Sequence, residues 1–231
     1  MGNLVGVEPT SLDHVALWVD DRDSIADFAV AHLGMHVIER TDRFTLVGSD
    51  ARRGKLTLFS AEGPRDQGAL AQIGLRVSDV AAARAVLPDG LPEVFEVGPG
   101  LRVTLVEGET ETEYDLDHVA LWSSAPEETA QRYETFGFAS AAAGPSGAPR
   151  VEVGGAFVEF HEGRPGDPER PLLNHLAVLV ESADQHIEAA RERGIEIADI
   201  VDAANTYAVF VWGPERVKVE YVEHKPTFSL T

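Results

Sequence analysis

The sequence predicts an α+β fold made of four β-α-β-β-β modules, paired into two tandem domains. The main observation is an internal repeat: residues 11–18 recur almost unchanged as residues 115–122, with His14 and His118 lying 104 residues apart. Degraded or clear copies of the same strand also begin near residues 72 and 174. Near-identity over this distance indicates duplication of a unit of about 100 residues, which is a normal domain size.

A helix follows each copy of the opening strand. Residues 23–33 have apolar side chains at helical spacing, and the shorter second helix, residues 79–87, ends at a proline. Residues 124–127 and 182–185 have the pattern of N-terminal capping boxes. Gly194 is typical of a helix C-terminus and ends the fourth helix.

Strand-like runs complete each module. In the fourth module they are residues 196–200, 207–212 and 217–222, which alternate apolar and polar residues and are rich in β-branched ones. The polar stretch at residues 108–114 is predicted to be a linker between an N-terminal domain, residues 10–107, and a C-terminal domain, residues 115–225.

Composition excludes several functional classes. The 231 residues include no cysteine, so disulfides, thiolate metal sites and thiol nucleophiles are excluded. The formal net charge of −20 disfavours binding to nucleic acid. No apolar run approaches the ~18 residues of a membrane span, and residues 1–4 do not begin a secretory leader. We therefore expect a cytoplasmic protein without a membrane partner.

Metal ligands are predicted in the second half. Strand alternation puts His118 and His175 at equivalent positions of two opening strands, and Glu159 and Glu220 at equivalent positions of two closing strands. A carboxylate flanked by core residues is costly without a partner, and a cation bound with two imidazoles would supply one. Two His and one carboxylate suit Fe(II) oxygenases, whereas two His and two carboxylates suit a Lewis-acid role on Ni(II), Co(II), Mn(II) or Zn(II).

The first half offers a weaker set of ligands at the matching positions, which are His14, Phe59, Gln72 and Thr104. Only His14 among these is a good metal ligand, and Phe59 would block one site. We therefore expect an N-terminal domain without metal, in which His14 is structural.

Roughly residues 10–224 resemble the vicinal oxygen chelate superfamily, which includes glyoxalase I, bleomycin-resistance proteins, methylmalonyl-CoA epimerase and type I extradiol dioxygenases. The resemblance rests on the four modules, on residues 155–160 followed by Asn174-His175, and on residues 210–214 followed by Glu220. It implies paired modules that curl around a metal cleft, and therefore two tandem vicinal-oxygen-chelate, or glyoxalase-like, domains. It also implies a small-molecule substrate that binds the metal through two adjacent oxygens, and it allows a homodimer.

Within the superfamily the layout is similar to catechol 2,3-dioxygenases. Under that resemblance His118, His175 and Glu220 are the ligands of one divalent metal, Fe(II) or Mn(II), and Glu159 is a pocket residue. Two acid–base groups usual in those enzymes are replaced here by Val153 and Phe210. Tyr207 and His161 are the candidates to substitute for them.

The resemblance implies three functions, of which a metal-dependent oxidoreductase of the extradiol dioxygenase type is the first. The second is a glyoxalase-like lyase or isomerase that uses Ni(II), Co(II) or Zn(II) with the four-ligand set. The third is a non-catalytic protein that binds a small molecule, like the bleomycin-resistance proteins.

Overall fold

The structure, a computed structural model, describes residues 8–231. Residues 1–4, on which the expectation about a secretory leader depends, lie outside the described part. No helix within residues 8–231 is long and apolar enough to cross a membrane.

The predicted module architecture is confirmed, and three of the four modules are complete. The first comprises β1 (Ser11–Val19), α1 (Arg22–His32), β2 (His36–Arg40), β3 (Phe44–Gly48) and β4 (Lys55–Ser60). The second comprises β5 (Leu70–Val77), α2 (Val80–Ala85), β6 (Val94–Gly98) and β7 (Leu101–Glu107). The third comprises β8 (Asp115–Ser123), α3 (Pro126–Glu134), β9 (Ala139–Ala141), β10 (Arg150–Val153) and β11 (Ala156–Glu162). The fourth comprises β12 (Leu173–Leu179), α4 (Ala183–Arg193), β13 (Ile197–Asp202), β14 (Thr206–Trp212), a 3-10 turn (Pro214–Arg216) and β15 (Lys218–His224).

Local sequence signals account for most of these boundaries. Ser182 caps α4 by accepting a hydrogen bond from the backbone of Gln185, and Gly194 ends the helix with a left-handed φ of 66°. The capping box expected at residues 124–127 is not formed, because the N-cap of α3 is Ala125 and its side chain makes no capping hydrogen bond. The second module lacks an edge strand, since Pro88 and Pro92 interrupt the segment that would form it.

The modules pair in a different order from the one expected. The strand order is β13-β14-β15-β12-β1-β4-β3-β2 in one sheet and β6-β7-β5-β8-β11-β10-β9 in the other. The first sheet therefore joins the first and fourth modules, and the second sheet joins the two central modules. We call them the outer-module sheet and the central-module sheet. Residues 108–114 connect two modules of the same sheet, so each sheet combines strands from both of the domains that the sequence suggested.

The chain crosses between the sheets twice, at residues 61–69 and 163–172, and the two crossings contact each other. The backbone of Asp66 donates to Arg170 at 3.0 Å and accepts from Leu172 at 2.8 Å. One continuous apolar core then packs across both sheets and their helices. A separate small apolar group, Ala177, Ala208 and Val222 with Phe210 packed against it, lies on the outer-module sheet.

Candidate metal centre

Three potential metal ligands converge on the outer-module sheet: His14 on β1, His175 on β12 and Glu220 on β15. The Nε2 atoms of the two histidines lie 3.1 Å apart. Oε2 of Glu220 lies 3.2 Å from Nε2 of His14 and 2.9 Å from Nε2 of His175. All three side chains are largely buried, so the packing of the sheet fixes their positions.

Strand register brings these residues together. β1 and β12 run antiparallel, with His14 opposite Ala177 and His175 opposite Ala16. β15 runs parallel to β12, with Glu220 opposite Ala177. Because residues two apart on a strand share a face, the three functional side chains meet on one side of three adjacent strands.

Hydrogen bonds to the far side of each imidazole orient the rings. Nδ1 of His14 donates to Asp13 at 2.6 Å, and Nδ1 of His175 donates to Asn174 at 3.1 Å. An irregularity in the β1–β12 register at Asp13 allows this carboxylate to reach the neighbouring histidine. With Nδ1 protonated in both rings, the two Nε2 lone pairs point at each other and at a carboxylate oxygen.

The donor set fits a divalent transition metal. Two donor atoms about 2.1 Å from one cation and at right angles to each other lie about 3.0 Å apart, which matches the observed spacings. Oε2 of Glu220 is buried and has no aligned hydrogen bond, so the protein alone leaves it unsatisfied. Two imidazoles and one carboxylate are also the set typical of non-haem iron sites with open coordination positions.

Without a cation, a proton takes its place in the cluster. Burial alone would lower the pKa of His14, but the Glu220 carboxylate and the bond to Asp13 raise this pKa to about 9. Burial alone would raise the pKa of Glu220, but the two histidines lower it to about 2. The pKa of His175 is lowered, mainly by burial. The site therefore favours a positive charge at its centre.

The cluster opens into a cavity of about 350 Å³, which is within the usual size range of small-molecule sites. Phenylalanine side chains form much of its wall: Phe44, Phe59, Phe210 and Phe228. Its polar lining includes Asp13, Lys55, Thr57 and His224. An apolar wall beside a charged floor suits a small substrate with one apolar side and one oxygen-bearing side.

The position for a fourth ligand is held by a hydroxyl. Glu220 lies opposite Ala177, and the matching residue of the first module, opposite Ala16, is Thr57. The expected match, Phe59, is two residues further along β4 and forms part of the cavity wall. The candidate metal site of this sheet therefore offers three strong ligands, because a threonine hydroxyl is a poor substitute for a carboxylate.

His118 does not belong to this cluster, which corrects the predicted set of His118, His175 and Glu220. It lies on β8 in the central-module sheet, because β8 pairs with β5 and β11 and not with β12. Its Nδ1 donates to Asp117 at 2.8 Å, and its Nε2 lies 3.4 Å from the amide nitrogen of Gln72. His14, which was expected to be structural, occupies the place beside His175.

The residues proposed for catalysis also lie away from the cavity. Glu159 and His161 are on β11 of the central-module sheet, and Glu159 lies 3.5 Å from both Arg150 and His161. Tyr207 is on the outer-module sheet, but its hydroxyl donates to Asp184 at 3.1 Å and the residue does not line the cavity. Glu159 and His161 lie elsewhere because the third module shares its sheet with the second module and not, as expected, with the fourth. Tyr207 lies outside the cavity for a different reason, since it is on the face of β14 opposite to Phe210, which lines the cavity.

We expect Gly74→Ala to destabilise the central-module sheet without affecting the metal centre. A Cβ atom at position 74 would lie 2.2 Å from the ring of His118, so the ring or the strand must move, at a cost of about 1–3 kcal/mol. Chemical denaturation would measure the loss. The double variant Gly74→Ala/His118→Ala should lose less stability than the sum of the two single losses, because the added methyl group no longer meets the ring. Losses that add fully would contradict this account.

Comparisons with known proteins support the assignment of the fold. Residues 11–98 match the family model described as the Glyoxalase/Bleomycin resistance protein/Dioxygenase superfamily. No curated protein matches the chain in sequence.

Several solved structures share the architecture over nearly the whole chain. A Bacillus subtilis protein named provisionally as a dioxygenase aligns with a TM-score of 0.76 and 15% identity, over 96% of this chain and 87% of that one. The V278E mutant of glyoxalase I from Zea mays aligns with a TM-score of 0.73 and 15% identity, over 95% of this chain and 94% of that one. Identities this low establish the fold alone. Residues 11–98 are thus similar to the Glyoxalase/Bleomycin resistance protein/Dioxygenase superfamily, and the chain as a whole shares the fold of these solved structures.

Proposed function

We propose that the chain is a metal-dependent oxidoreductase that resembles the extradiol ring-cleaving dioxygenases. Its substrate would be a small, catechol-like molecule with two adjacent oxygens. The observation that carries the proposal is the three-donor cluster of His14, His175 and Glu220 at the base of a cavity lined by phenylalanines.

His14, His175 and Glu220 would hold one divalent cation, Fe(II) or Mn(II). Such a cation supplies a Lewis acid with open coordination positions and, in either of these metals, redox chemistry. Asp13 and Asn174 keep the two imidazoles oriented toward it.

The cavity wall would position the substrate. The ring of Phe210 lies 5.0 Å from that of His175, and Phe59 lies 5.7 Å from Phe44. Flat aromatic faces at these distances pack well against a planar apolar ring and exclude water from it. The substrate's oxygens would then be directed toward the three-donor cluster.

The second candidate function, a glyoxalase-like lyase or isomerase, has less support. In the resemblance that suggests it, a second carboxylate is both a metal ligand and the group that moves a substrate proton. The structure has Thr57 at that position of the outer-module sheet. A threonine hydroxyl cannot take up a proton near neutral pH as a carboxylate can.

The test combines metal analysis with oxygen uptake. Protein purified without chelator would be examined by elemental mass spectrometry, and an oxygen electrode would follow its reaction with a panel of substituted catechols. We expect about one iron or manganese per chain and oxygen consumption that depends on the catechol. Bound nickel, cobalt or zinc with oxygen-independent turnover would favour the lyase. Failure to bind any metal after reconstitution would overturn both and leave a small-molecule binding protein.

A further inference from the structure

His224 is an exception within the repeat. In the other three modules, the residue four positions after the one that matches Glu220 has a small side chain or none: Ala61, Gly108 and Gly163. The backbone of each of these residues donates to the end of the module's opening strand, at Val19, Val77 and Ser123 respectively. A histidine at this place in the fourth module is therefore not required by the fold of the module.

The side chain of His224 is held inside the metal cavity. It is 8% exposed, and its ring stacks on Phe228 with the centroids 4.3 Å apart and the planes at 22°. Both residues line the same cavity as His14. The stacking fixes the plane of the imidazole, so its position in the cavity does not depend on a bound ligand.

One buried carboxylate connects His224 to the metal centre. Oδ2 of Asp13 lies 2.9 Å from Nε2 of His224, while Oδ1 of Asp13 accepts from Nδ1 of His14. Lys55 also donates to Asp13, at 2.9 Å, and keeps this carboxylate charged in a buried place. Nε2 of His224 is buried and faces this carboxylate without an aligned hydrogen bond. The tautomer with its proton on Nε2 fits this contact, and Nδ1 then carries the lone pair of the ring. Within residues 8–231, Nδ1 of His224 has no hydrogen-bond partner.

We propose that His224 contacts the bound substrate and accepts a proton from one of its hydroxyl groups. In this step the O–H bond breaks, its electron pair stays on the oxygen, and the proton forms a bond to Nδ1 of His224. The proposal rests on the proposed function, because it requires a substrate that binds through two oxygens. It gives the site the acid–base group that Phe210 cannot supply and that Tyr207, bonded to Asp184 outside the cavity, does not.

The other ionisable groups of the cavity are engaged or peripheral. His14, His175 and Glu220 form the cluster, and Lys55 is paired with Asp13. Glu39 also lines the cavity, but it lies on the edge strand β2 and its own strand neighbours are largely exposed. Glu39→Gln is therefore a matched control for His224→Gln, since both variants replace an ionisable cavity side chain by the same amide.

The experiment uses the Mn(II)-loaded protein under anaerobic conditions and 4-nitrocatechol, a dye whose visible absorption reports how many protons its hydroxyls carry. At a pH where the free dye retains one hydroxyl proton, we expect wild-type protein and Glu39→Gln to bind it with both hydroxyls deprotonated. His224→Gln and His224→Asn should bind it with that proton retained and about 10–100-fold more weakly, which is the usual effect of losing a hydrogen bond to a charged group. Manganese content should be unchanged in all variants.

The outcomes separate the two proposals. If wild-type protein binds manganese and the dye, but the spectra of the His224 variants equal that of wild type, the role of His224 is overturned while the proposed function stands. If the wild-type protein binds no metal, or binds manganese without changing the dye spectrum, both proposals fall. Thermal melting of the variants would show that a changed spectrum does not come from unfolding.

Discussion

Replacing His14 by alanine is expected to remove the bound metal, whereas replacing His118 by alanine is expected to leave it in place. His14 contributes one of three donor atoms that lie 2.9–3.2 Å apart. Loss of an outer partner of a metal ligand already weakens affinity about 10–100-fold, so loss of a ligand itself should weaken it by more than ~100-fold. His118 is an informative control because the same sequence motif surrounds it.

The measurement is the metal content of both variants after dialysis against a weak chelator, together with their thermal stability. Wild type and His118→Ala should retain about one equivalent, and His14→Ala almost none. The His118 variant should lose stability instead, because its ring is packed over Gly74. The opposite result, with metal lost from His118→Ala and kept by His14→Ala, would show that the metal is bound by the set of His118, His175 and Glu220 and not by the cluster that includes His14.

The local structure of each module was predictable from the sequence. Helix starts and ends at Ser182 and Gly194 follow from capping, and the strands follow from alternation of apolar residues. His175 and Glu220 could also be placed together, because both belong to the fourth module and the register of β12 and β15 is set within it. Contacts between residues of the same module could thus be predicted from local sequence patterns.

The pairing between modules could not be predicted in the same way. The opening strands β1, β5, β8 and β12 have nearly the same pattern, so none of them specifies its partner by local sequence. The pairing of β1 with β12 is decided by packing of the whole chain and by the two crossings near Asp66 and Pro171. Because of this pairing, His14 and not His118 lies in the candidate metal centre, and Glu159 and His161 lie outside it.

The residue at the fourth ligand position was also predicted incorrectly, by two residues along β4. Strands β4 and β15 match when Thr57 is placed with Glu220, because both lie opposite an alanine that is two residues beyond the strand histidine. Placing Phe59 there preserves the alternation of faces, so the apolar pattern alone could not reveal the error. The repeat did contain a usable signal at His224, which stands where the other modules have glycine or alanine.

Asp13→Asn is expected to cost about 3–5 kcal/mol of unfolding free energy, the usual effect of removing one partner of a buried ion pair. Asp13 is 1% exposed and contacts three cationic or potentially cationic side chains: Lys55, His14 and His224. Asparagine keeps the shape and can still accept from His14. However, it leaves the buried ammonium group of Lys55 without a counter-charge, and Lys55 then keeps only its hydrogen bond to the carbonyl of Ala51 within residues 8–231.

Denaturation with a chelator present would measure this loss separately from metal binding. Asp117→Asn is the matched control, since Asp117 holds His118 as Asp13 holds His14, but its ion-pair partner Arg76 is 16% exposed and also donates to Gly155. The control should lose less. The double variant Asp13→Asn/Lys55→Met should recover much of the loss, because it removes both buried charges together.

The effect should also depend on pH in a defined direction. Burial alone would raise the pKa of Asp13, but Lys55 and the neighbouring histidines hold it well below its usual range. A carboxyl whose pKa is lower in the folded than in the unfolded state contributes stability above the unfolded value of about 3.9 and loses it as the pH falls. The gap between wild type and Asp13→Asn should therefore be full near neutral pH and narrow below about pH 4. A gap that stays constant down to pH 2 would mean that the charge of Asp13 is not what stabilises the fold, and that the buried network around the metal centre owes its stability to shape alone.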